Sequence, residues 1–187
     1  MASASHVAEA RHLTRRWLTK LAQFGGSKEV KLVRLTDLHP EEGVRLGKIA
    51  DDLPRIEPGA WVTPKPLASA KVALITTSGI HRRSDPPFKP GIPEYRLLPK
   101  DVDFGDLVMS HLSVNFDRTA YQEDPNVMMP LERLHELQAD GVIGEVADWH
   151  YSFMGAIPSP LLLEESGTEV GELLRRDGVD AAVLIPV

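Results

Sequence analysis

Three histidines, two adjacent arginines and a run of hydroxyls carry most of the chemistry that this sequence offers. His81 follows the apolar run "KVALITTSGI", His111 ends "DLVMSH", and His150 sits in "DWHYSFMG" just after "VIGEVA". If those three runs are parallel neighbouring strands, their ends bring the imidazoles to one face. Three neutral imidazoles around an open position are a zinc-enzyme arrangement. Asp85, Asp117 or Asp124 would complete or orient it. His81, His111 and His150 are therefore the candidate catalytic residues and the candidate ligands of a divalent metal such as zinc. The sequence has no HxH or HxxxH spacing, so this reading rests on topology. The plainer alternative is three loop histidines, each satisfied by its own hydrogen bonds.

A second constellation is Thr76-Thr77-Ser78-Gly79, whose hydroxyls and backbone amides suit a carboxylate or phosphate. It lacks the lysine and glycine spacing of a P-loop. Arg82 and Arg83 would pair bidentately with an anionic group, or simply lie in a solvated loop. With Thr76, Thr77 and Ser78 they form the candidate substrate-binding set. Ser110-His111, and Ser78 with His81, invite a serine-nucleophile reading, but no glycine-flanked elbow surrounds either serine. His135 reads as a structural helix residue, and His6, His12 and His39 as surface residues. Trp149, Tyr151, Phe153 and Met154 read as core packing, or as the lining of a pocket.

The elements that must position these residues follow from periodicity. Val7, Ala10, Leu13 or Thr14, Trp17, Leu18 and Leu21 recur at helical spacing up to Gly25-Gly26, predicting a helix over about 4–24. "EVKLVRL" alternates like a short strand, and proline- and glycine-bearing segments follow it. Residues 1–68 are thus expected to be an N-terminal helix and irregular arm, and 69–187 an α/β core domain. In the core, "KVALITT" is a strand of β-branched and apolar residues. Residues 82–100, with five prolines, read as a long loop. "DLVMSHLSV" is strand-like, "PLERLHELQADG" a helix closed by Gly141, and "VIGEVA" a brief strand. "SGTEVGELLRRDG" is a helix with Ser166 and Glu169 at capping-box spacing, closed by Gly178. "VDAAVLIPV" is a final buried strand. Strands and helices alternating in this way predict an α/β layered fold with a mostly parallel sheet flanked by helices, plus the helical arm. Ligands of such sheets bind beyond the carboxyl ends of the strands, where Thr76, Thr77, Ser78 and His81 fall.

Bulk properties narrow the function classes. The chain has 187 residues, 42% hydrophobic and 26% charged, as in an ordinary one-domain globular protein. No apolar run reaches the ~20 residues of a membrane span, and the N-terminus has no signal-peptide apolar core. A net charge of −6 argues against sequence-independent nucleic-acid binding. A cytoplasmic location is expected. With no cysteine in the sequence, disulfides, thiolate zinc sites, iron–sulfur clusters and cysteine nucleophiles are excluded together.

The segments "VALITTSGIHRRSDPPF", "DLVMSH", "DPNVMMPLERLHEL", "GVIGEVADWHYSFMG" and "LLRRDGVDAAVLIPV", in that order, resemble the B-subunit family of glycine, sarcosine, betaine and D-proline reductases, the selenoprotein B family. The resemblance covers roughly residues 60–187 and is closest to short, stand-alone members. It implies reductive chemistry at a carbon–nitrogen bond with a selenocysteine or cysteine nucleophile, which follows a strand similar to "GVDAAVLIPV". No residue of this sequence takes that redox role. Two expectations follow for Val187: a short product with a different or lost function, or an in-frame UGA beyond it that encodes selenocysteine.

The expected function is that of an oxidoreductase-like subunit, or a descendant of one, binding a small amino-acid-like or anionic substrate at the strand ends. The alternatives are a histidine-based metal-dependent hydrolase or lyase, and a non-catalytic scaffold subunit of a larger complex. An exposed C-terminal strand edge also predicts a homo-oligomer.

Overall fold

The computed structural model describes residues 37–54, 62–113, 118–157 and 159–187. They belong to two units that divide between Leu53 and Pro54. In the first, α1 (Pro40–Asp52) begins with Pro40 and carries Glu41 and Glu42 in its first turn. Proline's missing N–H costs nothing there, and the carboxylates favour the positive end of the helix dipole. None of its residues is buried. The helix expected over 4–24 and the strand expected from "EVKLVRL" lie outside the described residues.

The second unit is built on β1 (Lys71–Thr76). Its side chains alternate between two cores. Val72 and Leu74 enter one apolar cluster, and Ile75 packs against the other. Burying one such side chain fully contributes roughly 1.5–3 kcal/mol, and β1 is buried on both faces because elements cover both. On the first face lie α3 (Leu131–Ala139), through Leu131 and Leu134, and an antiparallel ribbon of β2 (Ile80–Arg82) with β4 (Leu107–Met109), through Ile80 and Leu107. A short helix, α2 (Thr119–Glu123), precedes α3. On the second face lies α4 (Glu164–Arg176), through Val170, Leu173 and Leu174.

Around β1 the sheet is mostly parallel. β5 (Glu145–Val146), β6 (Trp149–Phe153) and β7 (Ala181–Ile185) all pair parallel to it, and β3 (Tyr95–Pro99) adds antiparallel to β6. The layered α/β architecture expected from the sequence is thus the one observed. β5 and β6 share one edge of β1, with Lys71 opposite Glu145 but Ile75 opposite Tyr151. Two extra residues therefore stand between β5 and β6, and the ladder is interrupted at Leu74.

Several elements differ from their expected form. Residues 82–100 are not a continuous loop: they contain β3, whose pairing with β6 spans Tyr95–Phe153 to Pro99–Trp149. β7 is not buried, since Val183 is 41% and Leu184 69% exposed. It lies at the sheet edge, with β1 on one side. Ser166 is not a helix cap: α4 begins at Glu164, and the Ser166 hydroxyl donates to the Leu163 carbonyl within the helix. Among the described residues, no helix is long and apolar enough to cross a membrane.

Candidate functional site

At the carboxyl end of β1 the chain turns sharply, and the turn satisfies its own polar groups. Thr77 N–H donates to Ile185 O, Gly79 N–H to Phe153 O, and Ser78 N–H to the Thr76 hydroxyl. The Thr76 hydroxyl also bonds the Ser78 hydroxyl at 2.9 Å. Thr76 and Ser78 are wholly buried. The expected amide cradle is therefore closed: the amides of residues 77–79 are spent on neighbouring strands and on Thr76. The buried Ser152 hydroxyl, paired in register beside Thr76, has no hydrogen-bond partner.

Thr77 is half-buried and ties the two strand ends together. Its hydroxyl accepts from Val187 N–H at 2.8 Å and lies 3.4 Å from Val187 O. Gly155 N–H donates to Thr77 O, and a Cβ on Gly155 would stand 2.7 Å from Val187 O. Only glycine fits between these backbones. On the α4 side, Thr77 borders an apolar groove of about 240 Å³ lined by Ile75, Phe153, Leu163, Val170 and Leu174.

Gly79, at φ +68°, redirects the chain into β2 and brings it against His111. β2 and β4 pair with His81 opposite Val108, so Ser110 lies diagonally across from His81. The two side chains meet: His81 Nε2 is 2.7 Å from Ser110 Oγ, and His81 Nδ1 is 2.8 Å from Arg82 O. A carbonyl only accepts, so Nδ1 carries a proton, and when that is the ring's single proton Nε2 accepts from the serine. The His81 ring also meets Phe88 edge-on, and Phe88 is covered by the Arg96 guanidinium at 4.6 Å. This stack pins the proline-rich segment over His81.

The three expected histidines thus have three environments. His81 and His111 flank Ser110, one by hydrogen bond and the other by sequence. His111 Nδ1 accepts from Ser113 N–H, and burial, helped by Arg118, lowers its pKa. His150 stands apart from both. Its Nδ1 accepts the Leu74 N–H at 3.0 Å, at the point where the β1 ladder is interrupted. It is fully buried, its Nε2 has no partner, and burial, followed by the proximity of His135, lowers its pKa to about 4. β4, which leads to His111, lies in the two-stranded ribbon and not beside β1, so the parallel arrangement that would have gathered all three does not occur.

Among the described residues, no group of three or more His, Asp or Glu side chains is arranged to hold a metal. Asp85 is engaged by Arg82, Asp124 accepts from Asn126, and Asp117 lies outside the described residues. The Arg82 guanidinium is held by Asp85 Oδ1 at 3.0 Å and Oδ2 at 3.3 Å, and this pairing raises its pKa. Arg83 is exposed and reaches Gly105 O at 3.4 Å. Ser110 was legible in the sequence only as a neighbour of His111. The pairing that matters needs the β2–β4 register, which three-residue strands do not announce.

Comparison with known proteins supports the family resemblance. The family model for glycine/sarcosine/betaine reductase selenoprotein B matches residues 50–186. The chain is 32% identical over 136 residues to D-proline reductase subunit gamma of Acetoanaerobium sticklandii, covering 71% of this chain and 55% of that protein. It is 31% identical over 130 residues to glycine reductase complex component B subunit gamma of Symbiobacterium thermophilum, covering 64% and 29%. It is 28% identical over 134 residues to sarcosine reductase complex component B subunit beta of Peptoclostridium acidaminophilum, covering 70% and 30%. The chain thus spans about half the length of the first of these relatives and about three-tenths of the others. No solved structure gives a significant match. With the family model covering most of its length, the chain belongs to the glycine/sarcosine/betaine reductase selenoprotein B family.

Proposed function

We propose that this chain is the substrate-side component of a cytoplasmic reductase of this family, binding a small amino-acid-like molecule beyond the carboxyl end of β1. The reading is supported by the Ser110–His81 pair and His111 lying against the Gly79 turn that follows β1, on a chain whose relatives are named for reductases of D-proline, glycine and sarcosine. Arg83, exposed beside this turn, is the substrate-facing member among Thr76, Thr77, Ser78, Arg82 and Arg83, and meets the anionic end of the ligand. Thr76, Thr77 and Ser78 hold the turn after β1, Arg82 holds the turn at Asp85, and His150 serves the sheet. With no cysteine in 187 residues, the thiol or selenol of the reaction comes from outside them, in a larger assembly.

Calorimetric titration of the purified chain with glycine, N-methylglycine and D-proline tests the reading. Saturable binding of at least one, weakened in His111→Ala and Arg83→Ala, is expected. Heats that never saturate with any of them sink it.

The same chain is proposed to self-associate through β7. This strand pairs with β1 on one side, has no other strand partner among the described residues, and exposes Val183 and Leu184. Unpaired apolar edges are templates for further strands. Light scattering at micromolar concentration should give at least a dimer mass, and a monomer rejects it.

A further inference from the structure

We infer that the outward face of Ser110 is a hydrogen-bond acceptor that recognises the N–H of an amine, with His81 as the positioning residue that fixes this polarity. The inference rests on the proposed binding of an amino-acid-like ligand at this end of the sheet and specifies which end of that ligand lies here.

The argument follows the protons. Arg82 O lies 2.8 Å from His81 Nδ1 and has no proton to give, so Nδ1–H is the donor. In the Nδ1–H tautomer Nε2 offers only a lone pair, and Ser110 Oγ, at 2.7 Å, donates to it. A serine hydroxyl has one proton. Once that proton points at His81, what Ser110 presents outward is lone pairs alone.

The arrangement is held from several sides. His81 is 4% exposed and packed edge-on against Phe88, so water competes poorly for its ring. Ser110 N–H is bonded to Gly79 O at 2.9 Å, which fixes the backbone behind the hydroxyl. Ser110 itself is half-buried and not sealed in the core. A carboxylate arriving there would find no proton, whereas an ammonium or secondary amine would supply one. Hydrogen bonds to charged partners are the strong ones, so this oxygen sorts ligands by whether their nitrogen keeps an N–H.

The test is a titration series on the full chain with glycine, N-methylglycine, N,N,N-trimethylglycine and acetate. Glycine and N-methylglycine should bind about tenfold or more tightly than the trimethylated compound, the discrimination expected of one charge-assisted hydrogen bond. Acetate should bind more weakly than glycine. Ser110→Ala should flatten the series, and Ser110→Thr, which keeps the hydroxyl, should preserve it. His81→Phe keeps a ring but removes the acceptor, so it should release the serine proton and shrink the preference. Thermal melts of the variants establish that they fold. Equal binding of glycine and the trimethylated compound overturns the inference while leaving the substrate site standing. A Ser110→Ala loss identical for every ligand marks a purely structural role and overturns it too. Absence of binding by every member overturns both readings.

Discussion

Replacing His150 with asparagine should remove a large part of the acid sensitivity of this fold. The Nδ1 of His150 stands in for a strand carbonyl, accepting the Leu74 N–H where the two-residue insertion between β5 and β6 interrupts the ladder. Burial, with His135 nearby, lowers its pKa from the ordinary 6.5 to about 4. In the unfolded chain the ring takes up a proton near 6.5, whereas in the native state it does not until about 4. Between these values the unfolded state binds more protons, so stability falls as pH falls. The contribution is fully present above 6.5 and is lost progressively down to about 4. The gap between those pKa values corresponds to about 3 kcal/mol, at roughly 1.4 kcal/mol per pH unit. Urea unfolding of wild type and His150→Asn at several pH values from 7 to 4.5 measures the effect. Asparagine keeps an acceptor near the Nδ1 position and does not titrate, so its curve should be flatter by up to one proton's worth of slope. His150→Phe, which leaves the Leu74 amide unpaired, should instead cost about 1–3 kcal/mol at pH 7. Parallel stability curves for wild type and His150→Asn would refute the reasoning, because His150 would then titrate alike in both states.

Gly155→Ala should destabilise by about 1–3 kcal/mol, because its Cβ meets Val187 O at 2.7 Å and Thr77 O at 2.9 Å, both backbone. An unchanged melting temperature would show that β7 ends elsewhere. Gly79→Ala should cost at least about 1–2 kcal/mol for its left-handed conformation, with further crowding at His111 N, 3.2 Å away. Urea midpoints equal to wild type would contradict that turn. Purified protein should hold well under one zinc per chain by elemental analysis. Stoichiometric zinc that disappears in the His81→Ala, His111→Ala double variant would restore the metal-centre reading.

How much of this was legible depended on how local the signal was. β1 was readable because a central parallel strand is a continuous apolar run, and β7 because its apolar run lies between Gly178 and Pro186. α3 and α4 were readable through their leucine spacing and through Gly141 and Gly178, both at positive φ just past the helix ends. The long-range pairings left no such mark. β3 hides in a proline-rich stretch because it is needed only as an antiparallel addition to β6, with its last residue itself a proline. The exposure of β7 could not be read from "AAVLI", since apolar residues serve a buried strand and an open edge alike. The contacts around the candidate residues were not legible. The sequence placed His81 after one strand and Ser110-His111 at the end of another, whereas the His81–Ser110 hydrogen bond depends on a register between two three-residue strands. His150 was misplaced for the same reason, because its role follows from an insertion visible only when two strands are aligned.

The position of β1 at the centre of the sheet also sets the order in which the molecule can be made. Every strand that pairs with β1 is synthesised long after it. Its contact with His150 spans 76 residues, and that with Asp180 spans 109. At ribosomal rates of about 5–20 residues per second, β1 waits on the order of 4–20 s for its partners. Throughout that time "VALIT", uncharged and rich in strand-forming residues, is the kind of segment that associates between chains. Lys71 immediately before it supplies a flanking charge that discourages this. Contacts of such high sequence separation slow folding, so yield in rapid expression should depend on temperature more than the stability of the finished protein does.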